Sequence, residues 1–162
     1  MKLLQFIFRC VFLSTAMFQT SGSEPFSVTM HPPEAPVRIG AEVRMSVTTR
    51  NTSNHEIRFA RGFGDQELDF QIEVRDPQGK TPAMTESYRN FKEHPTSRGG
   101  SYSTYVLEPG KSFDDELVVT KLYVLAVPGK YTISVTRGQR PMWQTPKNRG
   151  VGSSPVTVTL IP

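Results

Sequence analysis

Apolar and polar residues alternate through nearly the whole chain, and that pattern leaves few folds open. It is seen in "FSVTM" (Phe26 to Met30), in "EVRMSVTT", which places Val43, Met45 and Val47 on one side, and in "EIRFAR", with Ile57 and Phe59. "DFQIEVR" sets Phe70, Ile72 and Val74 against Asp69, Gln71, Glu73 and Arg75. "SFDDELVVT" contributes Phe113, Leu117 and Val119; "KYTISVTR" contributes Tyr131, Ile133 and Val135; "PVTVTL" contributes Val156, Val158 and Leu160. Successive side chains of a strand point to opposite faces, so a period of two marks a strand with one face buried and the other in water. Many such runs with no long helical period between them predict an all-β fold, an antiparallel sandwich of about seven to nine strands.

Turn chemistry punctuates the runs. "NTSN" (Asn51 to Asn54) divides two strands, "DPQGK" (Asp76 to Lys80) is a Pro-then-Gly turn, "EPGK" follows Leu107, and "VPGK" precedes Tyr131. One segment departs from period two. "AMTESYRNFKEH" spaces Met84, Tyr88 and Phe91 at i, i+4 and i+7 between Pro82 and Pro95, which predicts a long connection with a short helix. No repeat or low-complexity tract interrupts the rest.

The first 23 residues stand apart. Lys2 and Arg9 give a basic start, Cys10 to Phe18 is apolar, and "QTSGS" is small and polar, the order of a secretory signal peptide cleaved after Ser23. The other reading is an uncleaved anchor from Leu3, but Arg9 divides that stretch and the run after it falls well short of the ~20 residues that span a bilayer. Phe8 and Arg9 stand where a lipoprotein signal needs small residues, so Cys10 is not expected to carry a lipid. Residues 24–162 then form one domain with a single core. Cys10 is the sole cysteine, so the exported part has no disulfide, thiolate metal site or cysteine nucleophile. Losing Lys2 and Arg9 leaves 17 of the 19 basic residues against 15 acidic ones, a net charge of +2. The basic residues are scattered among acids, which argues against a nucleic-acid partner. The expected location is periplasmic or extracellular, with no stable membrane insertion once the leader is gone.

The stretch "VLEPGKSFDDELVVTKLYVLAVPGKYTISVTR" (Val106 to Arg137) resembles the late strands of immunoglobulin-like sandwiches of secreted bacterial proteins, including accessory domains of secreted proteases and proteinase-inhibitor-like domains. "TTRNTSNHEIRF" is similar to the second-to-third strand passage of that group. The resemblance implies the fold and says little of function, because this sandwich hosts unrelated activities. It also gives Tyr131 a structural role. A tyrosine two residues before the second core cysteine of such domains bonds back to upstream backbone; here Ile133 holds the cysteine position, and the expected acceptor is a carbonyl near Leu125.

Little in the chain points to catalysis. His31, His55 and His94 lack zinc-ligand spacing and read as surface residues. Ser97-Arg98-Gly99-Gly100-Ser101 has no following helix to favour phosphate, and no Gly-x-Ser-x-Gly elbow exists. Asp114, Asp115 and Glu116 are adjacent, with Asp115 phased opposite its neighbours; Asp65, Glu67 and Asp69 share a phase. Calcium needs six or more converging oxygens, so both groups read as solvated faces. Asn51-Thr52-Ser53 matches a glycosylation acceptor of eukaryotic secretion. No cofactor, metal site or catalytic set is expected.

The remaining feature is the long connection between Arg137 and Pro155. It carries Arg140, Pro141, Met142, Trp143, Pro146, Lys147 and Arg149, with the only Trp of the chain. By the resemblance it is the loop that antibodies use for binding. Arg140, Met142, Trp143, Lys147 and Arg149 are the candidate ligand-binding residues, for a protein or carbohydrate partner. The opposing reading has Trp143 folding back to cover the end of the sandwich. The function expected is that of an exported non-enzymatic binding domain, with a small inhibitor of secreted proteases as the alternative.

Overall fold

The computed structural model describes residues 24–62, 69–94, 102–139 and 150–162. These form an all-β fold with one short helix. In chain order the elements are β1 (Phe26–His31), β2 (Val37–Arg38), β3 (Arg44–Asn51), β4 (Ile57–Gly62), β5 (Phe70–Arg75), α1 (Glu86–Glu93), β6 (Tyr102–Leu107), β7 (Ser112–Val118), β8 (Gly129–Arg137), β9 (Val151–Gly152) and β10 (Val156–Ile161). The described residues therefore contain ten strands, more than the seven to nine expected. The surplus comes from β2 and β9, two-residue pieces too short to show alternation.

One sheet has the order β1-β3-β7 and a second the order β2-β10-β8-β5, with β9 also on β8; β4 and β6 pair as a two-stranded ribbon. Every pairing is antiparallel except β2 with β10, where Val37 lies beside Leu160 in a parallel register. The inward phase of each strand is the one the alternation selects. Met45, Val47 and Thr49 of β3, Phe70, Ile72 and Val74 of β5, and Tyr131, Ile133 and Val135 of β8 are buried. Residues from both sheets and the ribbon meet in one hydrophobic core. Val43, Phe59, Leu117 and Val119 belong to it as well.

The segment that departs from period two does form a helix. Thr85 caps α1, its Oγ1 accepting from the Tyr88 amide at 3.3 Å while donating to the Lys121 carbonyl at 2.7 Å. Glu86 in the first turn and Lys92 in the last complement the helix dipole. Only Tyr88 of the helix is fully buried; its ring meets Tyr123 edge-on at 5.6 Å. Burial raises the Tyr88 hydroxyl well above the usual phenol range, and it raises Tyr123 in the same direction.

The Tyr131 hydroxyl donates to the Val127 carbonyl at 2.9 Å and lies 3.2 Å from the Val127 amide, which donates to it. The acceptor is thus two residues nearer the tyrosine than Leu125, because the turn at Pro128-Gly129 folds the i−4 carbonyl back over the phenol. The "NTSN" turn is built on Asn51, which is completely buried. Its Nδ2 donates to the carbonyls of His55 and Leu107, both at 2.8 Å, and its Oδ1 accepts from the Ser53 amide at 2.9 Å. A sugar at this position is incompatible with the folded turn, since the nitrogen that would carry it has both hydrogens engaged and is buried. Opposite it, Glu108 to Lys111 closes on a 3.1 Å bond, with Gly110 at φ +73°, the left-handed conformation that the third position of this turn requires.

Candidate functional site

The candidate binding residues Arg140, Met142, Trp143, Lys147 and Arg149 lie outside the described residues, as do Asp65, Glu67 and the Ser97-to-Ser101 stretch. What the structure places is the frame that borders them. Gly62 pairs with Tyr102 across the β4–β6 ribbon, Phe70 pairs with Arg137 across β5–β8, and the Ala60 amide donates to the Gln139 carbonyl at 2.9 Å. Gly150 is pressed onto the same spot: a Cβ there would lie 2.6 Å from Thr136 Cγ2 and 2.8 Å from the Arg137 carbonyl oxygen. Gly62, Asp69, Tyr102, Gln139 and Gly150 all border the segments 63–68, 95–101 and 140–149, and they gather in one region of the fold.

Beneath that region is a buried ionic cluster. Asp115 points inward between Phe113 and Leu117 on β7, and its carboxylate bridges two guanidiniums. Arg137 Nη1 donates to Oδ2 at 2.5 Å, and Arg61 Nη2 donates to Oδ1. The Asp115 and Arg137 side chains are 0% and 1% exposed, whereas that of Arg61 is 25% exposed. Three phenylalanines enclose the Arg137 guanidinium, its central carbon lying 5.3, 4.7 and 4.8 Å from the ring centroids of Phe59, Phe70 and Phe113. A planar guanidinium can stack on rings and pair with a carboxylate together, which an ammonium cannot match. Burial lowers the Arg137 pKa, and Asp115 and then Asp69 oppose that shift. Nε and Nη2 of Arg137 and Nε of Arg61 have no hydrogen-bond acceptor among the described residues.

Two expectations are corrected here. Asp115 is no solvated acid: it follows the inward phase, while Asp114 and Glu116 on either side are exposed. Asp69 is also buried, because it precedes β5 and the alternation of the strand does not govern it. The signal that could have found the cluster was present in the sequence. Arg61 is in phase with Ile57 and Phe59, Asp115 with Phe113 and Leu117, and Arg137 with Ile133 and Val135. Opposite charges at inward positions of three strands call for one another, since a buried charge must be paired.

Elsewhere, His31, His55 and His94 are all exposed. Among the described residues no three His, Cys, Asp or Glu side chains are grouped so that they could hold a metal ion. A shallow groove of about 380 Å³ runs along Arg44, Ser46, Asp114 and Glu116 on the outer face of β3 and β7, where Arg44 pairs with Glu42 and Glu116. Also among the described residues, no helix is long and apolar enough to cross a membrane.

No protein-family model matches the chain, and no curated protein matches it. Among solved structures it is similar to a β-glucosidase from Erythrobacter marinus, with 18% identity over 84% of this chain and a TM-score of 0.43. It is similar also to a β-glucosidase from Listeria innocua in complex with isofagomine, with 15% identity over 83% of this chain and a TM-score of 0.41. The chain spans 15% and 16% of the lengths of those two proteins.

Proposed function

We propose that the protein is an exported, non-enzymatic binding domain with an immunoglobulin-like sandwich fold. In this reading it holds a protein or carbohydrate partner with the loop carrying Arg140, Met142, Trp143, Lys147 and Arg149. The observation that supports it is the gathering of Gly62, Asp69, Tyr102, Gln139 and Gly150 over the Asp115–Arg137 pair. Three connecting segments thus start or end on one buried, ion-paired frame, and binding residues are disproportionately carried by loops on a rigid scaffold. The Tyr131–Val127 corner supports the sandwich assignment. Trp and Arg are the types most often found as interface anchors. Pro141 and Pro146 restrict the backbone, which reduces the entropy lost on binding.

Trp143 is the only tryptophan, so fluorescence reads the loop alone. The exported protein, beginning near Glu24 by mass, is tested for acrylamide quenching and is titrated with a glycan array and a panel of secreted proteases, alongside Trp143→Ala. The expected result is a freely quenched Trp and a bound partner that the variant loses without a change in thermal stability. Protease inhibition abolished by the same substitution identifies the inhibitor alternative. A shielded Trp whose removal costs the ~3–5 kcal/mol of a core aromatic makes the loop structural and removes the site. Residues 1–23 retained in a membrane fraction overturn export as a free domain.

A further inference from the structure

The segment from Lys121 to Lys130, which leads into β8, has an outer surface of two residue kinds. Leu122, Tyr123 and Leu125 are buried, and the exposed positions are Lys121, Val124, Ala126, Val127, Pro128 and Lys130. Every exposed residue is thus aliphatic or a lysine. Val124 and Val127 are 50% and 43% exposed, and with Ile161 at 37% they make three of the five exposed large hydrophobics among the described residues. Ile161 belongs to the same end of the fold, because Leu160 pairs with Gly129. Backbone bonds hold the valines outward. The Val124 amide donates to the Ala83 carbonyl at 2.8 Å, and the Tyr131 hydroxyl accepts from the Val127 amide and donates to its carbonyl. Pro77 abuts Gly129, where a Cβ would lie 2.6 Å from Pro77 Cγ, and so brings its turn and the exposed Lys80 alongside. The acids at this end have other roles. Asp76 Oδ1 accepts from the Gln78 and Lys80 amides, and Glu86 lies in the first turn of α1. Arg38 stands beside Ile161 and so offsets the carboxylate of Pro162.

We propose that this end of the fold docks peripherally on a bilayer displaying anionic phospholipid, with Val124, Val127 and Ile161 at the headgroup–acyl boundary and Lys80 and Lys130 among the phosphates. Docking of this kind grows with the apolar area buried and with the attraction of cations to anionic lipid. A bilayer supplies both, hydrocarbon for the aliphatic groups and negative charge for the lysines around them. A second copy would instead set Lys80 and Lys130 against like charges, which is costly at an interface. A protein partner is held by aromatic and guanidinium anchors at the centre of the contact, where this segment has Val, Ala and Pro. The valines reach only the boundary, so the contact is reversible and no segment crosses the membrane. β8 runs nine residues from Gly129 to Arg137, roughly 30 Å, so the frame around Gln139 and Gly150 faces away from the lipid.

Co-sedimentation of the exported protein with vesicles reads it, comparing phosphatidylcholine alone with phosphatidylcholine containing about 30% phosphatidylglycerol. Binding is expected on the anionic vesicles, and it should be weaker at ~0.5 M than at ~0.05 M salt. Lys130→Ser should weaken it about fivefold. Val124→Ser/Val127→Ser should weaken it at least about tenfold, with thermal stability unchanged because both sites are exposed. If the valine pair does not fold, Val127→Ser alone replaces it, together with a polarity-sensitive dye on Ala126→Cys, the sole thiol of residues 24–162 in that variant. The dye should shift to the blue on anionic vesicles, and the same dye on Thr104→Cys should not. No binding to the anionic vesicles overturns the proposal. So does binding indifferent to the valine substitutions, which is adsorption by charge alone, or a dye at position 126 that stays in water. A concentration-dependent dimer that the valine substitutions abolish gives the surface to a second copy and overturns it as well.

Discussion

Asp115→Ala removes the carboxylate that two guanidiniums share, and the two arginines are left in different positions. Arg61, one-quarter exposed, can swing its head group into water. Arg137, enclosed by Phe59, Phe70 and Phe113, has no such route and is left a buried charge opposed, among the described residues, by Asp69. Breaking a buried pair from one side costs about 3–5 kcal/mol, a large part of the ~5–15 kcal/mol that holds a domain folded. With a urea slope near 2 kcal/mol per molar, the unfolding midpoint falls by about 2 M. Arg137→Met is expected to cost less, because Asp115 then keeps Arg61 and a thioether can occupy the phenylalanine box. Combining Asp115→Leu with Arg137→Met removes both desolvation penalties together and should return stability to within about 1 kcal/mol of wild type. Equilibrium urea unfolding followed by circular dichroism measures all three proteins. A loss below about 1 kcal/mol in Asp115→Ala, the scale of a surface ion pair, refutes the buried-cluster reasoning. So does a double variant less stable than Asp115→Ala alone.

Two further outcomes follow from the same core. Tyr131→Phe should cost about 1 kcal/mol through the lost bond to the Val127 carbonyl, read in the same urea assay, and no measurable change removes the corner. Burial raises the Tyr88 and Tyr123 hydroxyls, so between pH 10 and their folded values the unfolded chain releases protons that the folded one keeps. Stability therefore falls as pH rises past 10, by up to about 1.4 kcal/mol per pH unit for each retained proton. Tyrosinate absorbance should show these two ionising only as the protein unfolds; titration of all five tyrosines before unfolding contradicts it.

Alternation made the core legible, and it did so through residues whose burial needs no partner. Val47, Ile72 and Ile133 fall inward wherever strands pair, because their apolar surface alone favours that side. The candidate site was less legible. Asp115 and Arg137 keep the inward phase, yet a charge at such a position reads as a solvated end until its partner on another strand is known, and pairing between strands is non-local information. Asn51 was hidden for a related reason. A turn residue with an Asx geometry is visible in sequence, but its bond to the Leu107 carbonyl joins segments 56 residues apart. β2 and β9 are held by neighbours rather than by pattern, so two residues of sequence could not announce them.

The burial of Asn51 bears on how the protein can be produced. Oligosaccharide transfer in a eukaryotic secretory pathway acts on the nascent chain, before β3, β6 and the 108–111 turn close around this amide. A sugar added at that stage would sit on the nitrogen that must later donate to His55 and Leu107. Such a host would therefore divide the product into a bare, foldable fraction and a glycosylated fraction unable to complete the β3–β4 turn and held back by quality control. Asn51→Gln would abolish the acceptor but lengthen the side chain at a completely buried position. Ser53→Ala removes the recognition pattern, but it gives up the Ser53 hydroxyl bond to Asn51 Oδ1 at 2.7 Å. A host without that modification makes the native chain without either compromise.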